Sequence, residues 1–205
     1  DAYMLHVTTT PSVSYVARIG ILAAVSTVLM VFPTVKFPFM PSFLTLDFSD
    51  FPALLASYAM GPLSGVLVCL LKNVFHLAAS STSFVGELSN FMLSSFFVIP
   101  AGLLYHNKKT FKRACISSMI GAFSMAFFGF FTNLFITYPL YYVVLAPETV
   151  ILGMYKAILP SVNEIWQALL IFNAPFTLFK GLCSAVIVFL IYKKIAFLLK
   201  GKNKG

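Results

Sequence analysis

Continuous apolar stretches at 14–33, 51–80, 84–106, 114–140 and 168–199 dominate this chain, separated by short polar or proline-containing segments. A helix of about 20 residues crosses a hydrocarbon core ~30 Å thick, so each stretch is long enough to span a bilayer. The second stretch contains Gly61-Pro62. Proline removes a backbone donor and turns the preceding residue away from helical geometry, so a break is expected at that point. Split there, the pattern predicts six crossings; left whole, it predicts five.

Charge placement separates the two counts. Lys108, Lys109, Lys112 and Arg113 form one basic cluster, and Lys193, Lys194, Lys200, Lys202 and Lys204 form another. Basic segments beside membrane helices favour the cytoplasmic side. Six helices starting inside put both clusters and the Gly61-Pro62 turn inside, and leave Asp47, Asp50, Glu87, Glu148 and Glu164 at or near the outer face. The expected fold is therefore an all-α integral membrane protein with six transmembrane helices, N-in/C-in, an irregular outer loop 34–46 and a long outer segment 141–167. Pro38 and Pro41 make the loop an extended, hairpin-like flap, and 148–158 is predicted as a short surface helix. Two flaps on one face suggest a lid over a site. The helix between Phe48 and Met60 is short and needs its ends covered by neighbours.

Composition agrees with a membrane domain. Hydrophobic residues make up 60% and charged residues 10% of the chain, against about 25% charged in an average soluble domain. The net charge of +8 lies in short segments beside apolar runs, which points to a membrane surface and away from nucleic acid. Residues 1–13 are read as a polar N-terminal segment, expected to include residues foreign to the native chain, 14–199 as one membrane domain, and 200–205 as a basic cytoplasmic tail. No cleavable signal peptide is expected. Cys69, Cys115 and Cys183 have no short metal-ligand spacing and are expected to be small packing residues.

Enzyme signatures are missing from the sequence. His6, His76 and His106 are dispersed, with no His-Glu-x-x-His pair, and Gly61-Pro62-Leu63-Ser64-Gly65 has its serine one place too late for a hydrolase elbow. No phosphate loop occurs, so an energy source would lie on another protein. The polar groups inside apolar helices carry more information, since a lysine near mid-bilayer costs about 2.5–3.5 kcal/mol on insertion scales. Lys72 is expected to pair with Asp47 or Asp50, with ligand contact as the alternative. Lys180 follows Asn173 and Thr177 by seven and three residues, which puts all three on one helical face. Asn133 could point toward the same space. Amides, a hydroxyl and one ammonium among aromatic residues suit a flat heteroaromatic ligand with carbonyls and a polyol tail; interhelical hydrogen bonding is the alternative. Gly20 and Ala24 in the first helix form a small-xxx-small pair, for internal packing or for a partner subunit.

The first helix (ARIGILAA), the aromatic-proline loop leading into LDFSDFPALLASYAMGPLSGVLVCLLKN, and the VGELSNF segment together resemble the substrate-binding S-components of energy-coupling factor (ECF) vitamin transporters. The likeness spans roughly 14–199, is most specific over 46–91, and is strongest to riboflavin-specific members. It implies a multi-pass subunit of the bacterial plasma membrane that captures riboflavin from outside, performs no covalent reaction, and associates with a transmembrane EcfT-like coupling protein and two cytoplasmic ATPases. It also implies that Gly20 and Ala24 meet the coupling protein. Riboflavin would lie between the first outer loop and the last helices, at Thr45, Leu46, Asn133 and Lys180, with loop 34–46 closing over it. Similar proteins can carry asparagine where this chain has Thr177 in Pro175-Phe176-Thr177-Leu178-Phe179-Lys180. The competing readings are an S-component for another vitamin, a membrane-embedded hydrolase using Ser64 or His76, and a purely structural membrane subunit.

Overall fold

The computed structural model describes residues 12–41, 43–80 and 82–200, the last nine of them by backbone alone. Most of the N-terminal segment 1–13, the tail beyond Lys200 with Lys202 and Lys204, and the side chains of Lys193, Lys194 and Lys200 lie outside the described residues. The helices are α1 (Val13–Val31), α2 (Asp50–Met60), α3 (Pro62–His76), α4 (Val85–His106), α5 (Phe111–Thr132), α6 (Tyr138–Val144), α7 (Glu148–Lys156), α8 (Ile165–Ala168) and α9 (Ala174–Lys200). Two-residue strands β1 (Val35–Lys36) and β2 (Thr45–Leu46) pair antiparallel, Val35 opposite Leu46 and Lys36 opposite Thr45. The proline-rich loop is thus a hairpin, as its sequence predicts.

Among the described residues, five helices are long and apolar enough to cross a membrane: Val13–Val31, Pro62–Ala79, Val85–His106, Phe111–Val144 and Ile165–Ile191. The expected break between α2 and α3 is present. Gly61 has φ +105°, a conformation that glycine tolerates and other residues resist, and Pro62 opens α3, where its missing N–H costs nothing. The 11 residues of α2 rise only ~16 Å at about 1.5 Å per residue. This short helix is held by its neighbours: Asp50, Ala53, Leu54, Ala56, Ser57 and Tyr58 are all buried. Ser57 Oγ donates to the Val98 carbonyl at 2.7 Å, and Tyr58 OH lies 2.8 Å from Ser117 Oγ while its ring stacks on Tyr105 at 4.2 Å. These contacts fasten the short α2 to α4 and α5.

The remaining helices approach closely through small residues. A Cβ on Gly121 would stand 2.6 Å from the Phe97 carbonyl, and one on Gly181 would stand 2.9 Å from Ala122 Cβ. Bulky apolar side chains point outward instead, among them Ile21 and Val28 on α1 and Phe127 on α5. An exposed apolar belt is what a lipid-facing bundle requires.

Two helical runs differ from the sequence expectation. Asn133–Thr137 and Leu169–Asn173 are π-helical turns, which join α5 to α6 and α8 to α9 without a break. Each ends two residues before a proline, Pro139 and Pro175. A proline cannot donate to the preceding turn and its ring crowds the carbonyl there; widening that turn relieves the crowding and keeps the chain helical. The helix therefore runs on to Val144, so the non-helical segment expected from 141 begins only after that residue. The surface helix expected at 148–158 forms as α7.

Candidate binding site

The 34–46 hairpin and the helix ends beside it border an open cavity of ≈ 360 Å³. Small-molecule clefts run roughly 300–1,000 Å³, so a vitamin-sized ligand fits the class. Thr45, Asn133, Asn173, Thr177 and Lys180 all line it. Leu46 does not: it is 5% exposed and turned into the protein, because side chains alternate along a strand and Thr45 takes the cavity side. The lining also includes Asp47, Glu87, Asn90, Thr137, Tyr138 and Phe176, none of them singled out for this role by sequence.

The floor is a buried charge network. Lys180 Nζ donates to Asp47 Oδ2 at 2.9 Å and lies 3.6 Å from Asp50 Oδ2; Lys72 Nζ donates to Asp50 Oδ1 at 2.5 Å and to Ser49 Oγ at 2.7 Å. Ser94 Oγ donates to the same Asp50 Oδ1 at 2.5 Å, and Asp47 Oδ1 accepts from the Ser49 N–H at 2.9 Å. Two lysines thus balance two carboxylates. Lys72 has the structural pairing expected of it, with its side chain fully buried. Lys180 borrows its counter-ions from the end of the hairpin and the start of α2, so one long-range contact ties the loop to the last helix.

Above the floor the wall is largely amide, hydroxyl and aromatic, with Lys36, His76 and Glu87 as its other ionisable groups. The two π turns supply Asn133 and Thr137 on one side and Asn173 on the other. Asn133 Oδ1 accepts from Ser89 Oγ at 3.2 Å. Thr137 also lines the cavity, and its Oγ1 is buried without a hydrogen-bond partner. Asn173 is held by two tyrosines, Tyr155 OH donating to its Oδ1 at 2.7 Å and its Nδ2 donating to Tyr138 OH at 2.8 Å. Phe43, from the hairpin, packs its ring 6.0–6.4 Å from those of Tyr138, Tyr141 and Tyr155. On the α3–α4 side, Glu87 accepts from Ser80 Oγ at 2.9 Å and pairs with His76 Nδ1 at 2.8 Å, fixing the loop at the rim.

Prolines within apolar runs are the sequence signal that would have located the π turns, and with them Thr137. No comparable signal marks Tyr138 and Tyr155 as partners of Asn173. The residues considered for a hydrolase do not meet: Ser64 Oγ lies 2.8 Å from Tyr15 OH beside the Gly61-Pro62 turn, and His76 is paired with Glu87. No group of three metal-ligating side chains gathers among the described residues.

Comparison with known proteins agrees with this architecture. A family model described as ECF transporter, substrate-specific component, matches residues 14–192. The riboflavin transporter RibU of Staphylococcus aureus (strain TCH60) is 30% identical over 185 residues, covering 89% of this chain and 92% of that protein. The riboflavin transporter FmnP of Bacillus subtilis (strain 168) is 26% identical over 185 residues, covering 88% and 92%. A solved structure of the S component of a bacterial ECF transporter superposes with a TM-score of 0.71 at 30% identity, covering 92% of this chain and 98% of that one. ThiT from Listeria monocytogenes, at 16% identity and a TM-score of 0.57, shares the fold. With a family match across nearly all of its membrane region, this chain belongs to the substrate-specific components of ECF transporters.

Proposed function

We propose that this chain is the riboflavin-binding subunit of an ECF-type vitamin importer. The observation that carries the reading is one cavity at the outer end of the bundle that combines aromatic walls, neutral amides and a charge-balanced floor. Such a site suits an uncharged ligand with a flat ring and a polyol tail: the rings stack, and the few polar groups fix orientation. The relatives named as riboflavin transporters support the choice of flavin. Thr45, Asn133, Asn173, Thr177 and Lys180 are the ligand contacts, with Leu46 backing the strand that carries Thr45. The hairpin 34–46 closes over the bound vitamin.

The decisive experiment is an absorption spectrum. Protein purified after expression with riboflavin should be yellow, with a flavin spectrum that survives dialysis. A colourless protein that ignores added riboflavin but binds another vitamin would move the assignment to that vitamin.

In this reading the chain crosses the membrane six times, α2 and α3 forming two crossings about the Gly61-Pro62 turn, with both termini inside. A transmembrane coupling protein and two cytoplasmic ATPases supply the energy, and the chain itself catalyses no reaction. Gly20 and Ala24 form part of the docking face for the coupling protein. Their exposure supports this: both lie on the outward side of α1, the internal contact being made by Ala23, and a Cβ on Gly20 would meet nothing within 4 Å. Replacing Gly20 by leucine should leave riboflavin binding by the purified subunit unchanged. Uptake in cells should fall roughly tenfold, the effect of about 1.4 kcal/mol lost at a helix interface. If the variant still copurifies with its coupling protein and transports normally, the docking face lies elsewhere.

A further inference from the structure

The outer segment beyond Val144 contributes α7, which sits outside the cavity wall, yet one of its side chains reaches the wall from behind. Tyr155 is fully buried and does not line the cavity. Its hydroxyl donates to Asn173 Oδ1 at 2.7 Å, Asn173 Nδ2 donates to Tyr138 OH at 2.8 Å, and the two tyrosine hydroxyls are hydrogen-bonded to each other. The three groups close a ring. An amide offers two N–H donors and two carbonyl lone pairs, and this ring consumes one of each. One N–H and one carbonyl lone pair remain, on opposite sides of the amide, on a residue that is 3% exposed and lines the cavity.

We propose that Tyr155 is a positioning residue for ligand recognition: together with Tyr138 it fixes the orientation of the Asn173 amide, so that one of its two remaining polar groups meets the ligand. The proposal rests on the flavin reading. A fixed N–H or carbonyl can pair with a single C=O or N–H on the edge of a flavin ring, and the aromatic side chains that share this part of the cavity, Phe43, Tyr138 and Tyr141, match its faces. The same ring explains why an asparagine is tolerated on a π turn within an apolar helix. Without its two tyrosines the amide would rotate freely and would bond the ligand in only a fraction of its orientations. Preorganisation of this kind raises affinity without adding a contact. Phe43 packs on Tyr155 and Tyr138 at 6.2 and 6.4 Å, so seating the hairpin and fixing the amide draw on the same two rings.

The test is a double-mutant cycle read by riboflavin titration of the purified subunit. Y155F keeps the ring packing and removes one hydroxyl. It should raise the riboflavin Kd roughly tenfold, the loss of about 1.4 kcal/mol. In the N173A background, or in N173S if the alanine variant does not fold, the same change should alter Kd by less than about twofold, the scatter expected of independent sites. Equal losses in both backgrounds, or an unchanged Kd for Y155F alone, overturn the positioning role while leaving riboflavin binding intact. If the wild-type subunit binds no riboflavin, the flavin reading fails and takes this proposal with it.

Discussion

Replacing Asp50 by asparagine should destabilise this protein more than any other single isosteric change. Asp50 is fully buried, and its carboxylate accepts from Lys72 and Ser94 at 2.5 Å each and faces Lys180 at 3.6 Å. The amide has nearly the same shape but carries no charge, so Lys72 is left as an uncompensated buried cation. Breaking a buried pair from one side costs about 3–5 kcal/mol. For a chain of this size that lowers the thermal midpoint in detergent by roughly 6–20 °C. The penalty belongs to the stranded charge and not to the lost contact, so adding Lys72→Met should recover most of it. A D50N protein that unfolds within about 2 °C of wild type would mean that the network contributes little.

The largest effect on binding is expected from Lys180→Ala. An ammonium has three donors, of which Asp47 takes one at 2.9 Å and Asp50 lies near a second at 3.6 Å. The lysine also lines the cavity, so its remaining donor is available to a carbonyl of the ligand. Hydrogen bonds to charged groups contribute about 1.5–3 kcal/mol, so riboflavin affinity should fall roughly 10- to 150-fold. The substitution also strands Asp47 beside the end of the hairpin, which should speed dissociation as the loop loses its tie to α9. Fluorescence titration, in which bound riboflavin is quenched by neighbouring aromatic rings, measures both. An unchanged Kd with a faster off-rate is arithmetically open only if the on-rate rises to match; an unchanged titration and off-rate together would remove Lys180 from the site.

Much of the site was legible because burying polar groups in lipid is costly and therefore informative. Asn133, Asn173, Thr177 and Lys180 stand out as polar residues in apolar runs, and the structure brings all four to one cavity. Thr45 was reached only through family resemblance, and the strand alternation that places it in the cavity turns Leu46 away. Asp47 was visible as an acid near the outer face, but its pairing with Lys180 spans 133 residues of sequence. Nothing local encodes such a partner.

The sequence by itself determined that the chain lives in a membrane, where its helices break, and that its two intramembrane lysines need counter-charges. Those are local or compositional facts: run length sets whether a helix can cross, glycine-proline fixes the break between α2 and α3, and an unpaired lysine in lipid is too costly to persist. Only the tertiary structure decided which acid serves which lysine, that two prolines are absorbed by π turns, and that Tyr155 reaches Asn173 from outside the cavity. These depend on how helices pack across the bundle. Each polar group has several chemically suitable partners in sequence, and only geometry selects the one within 3 Å.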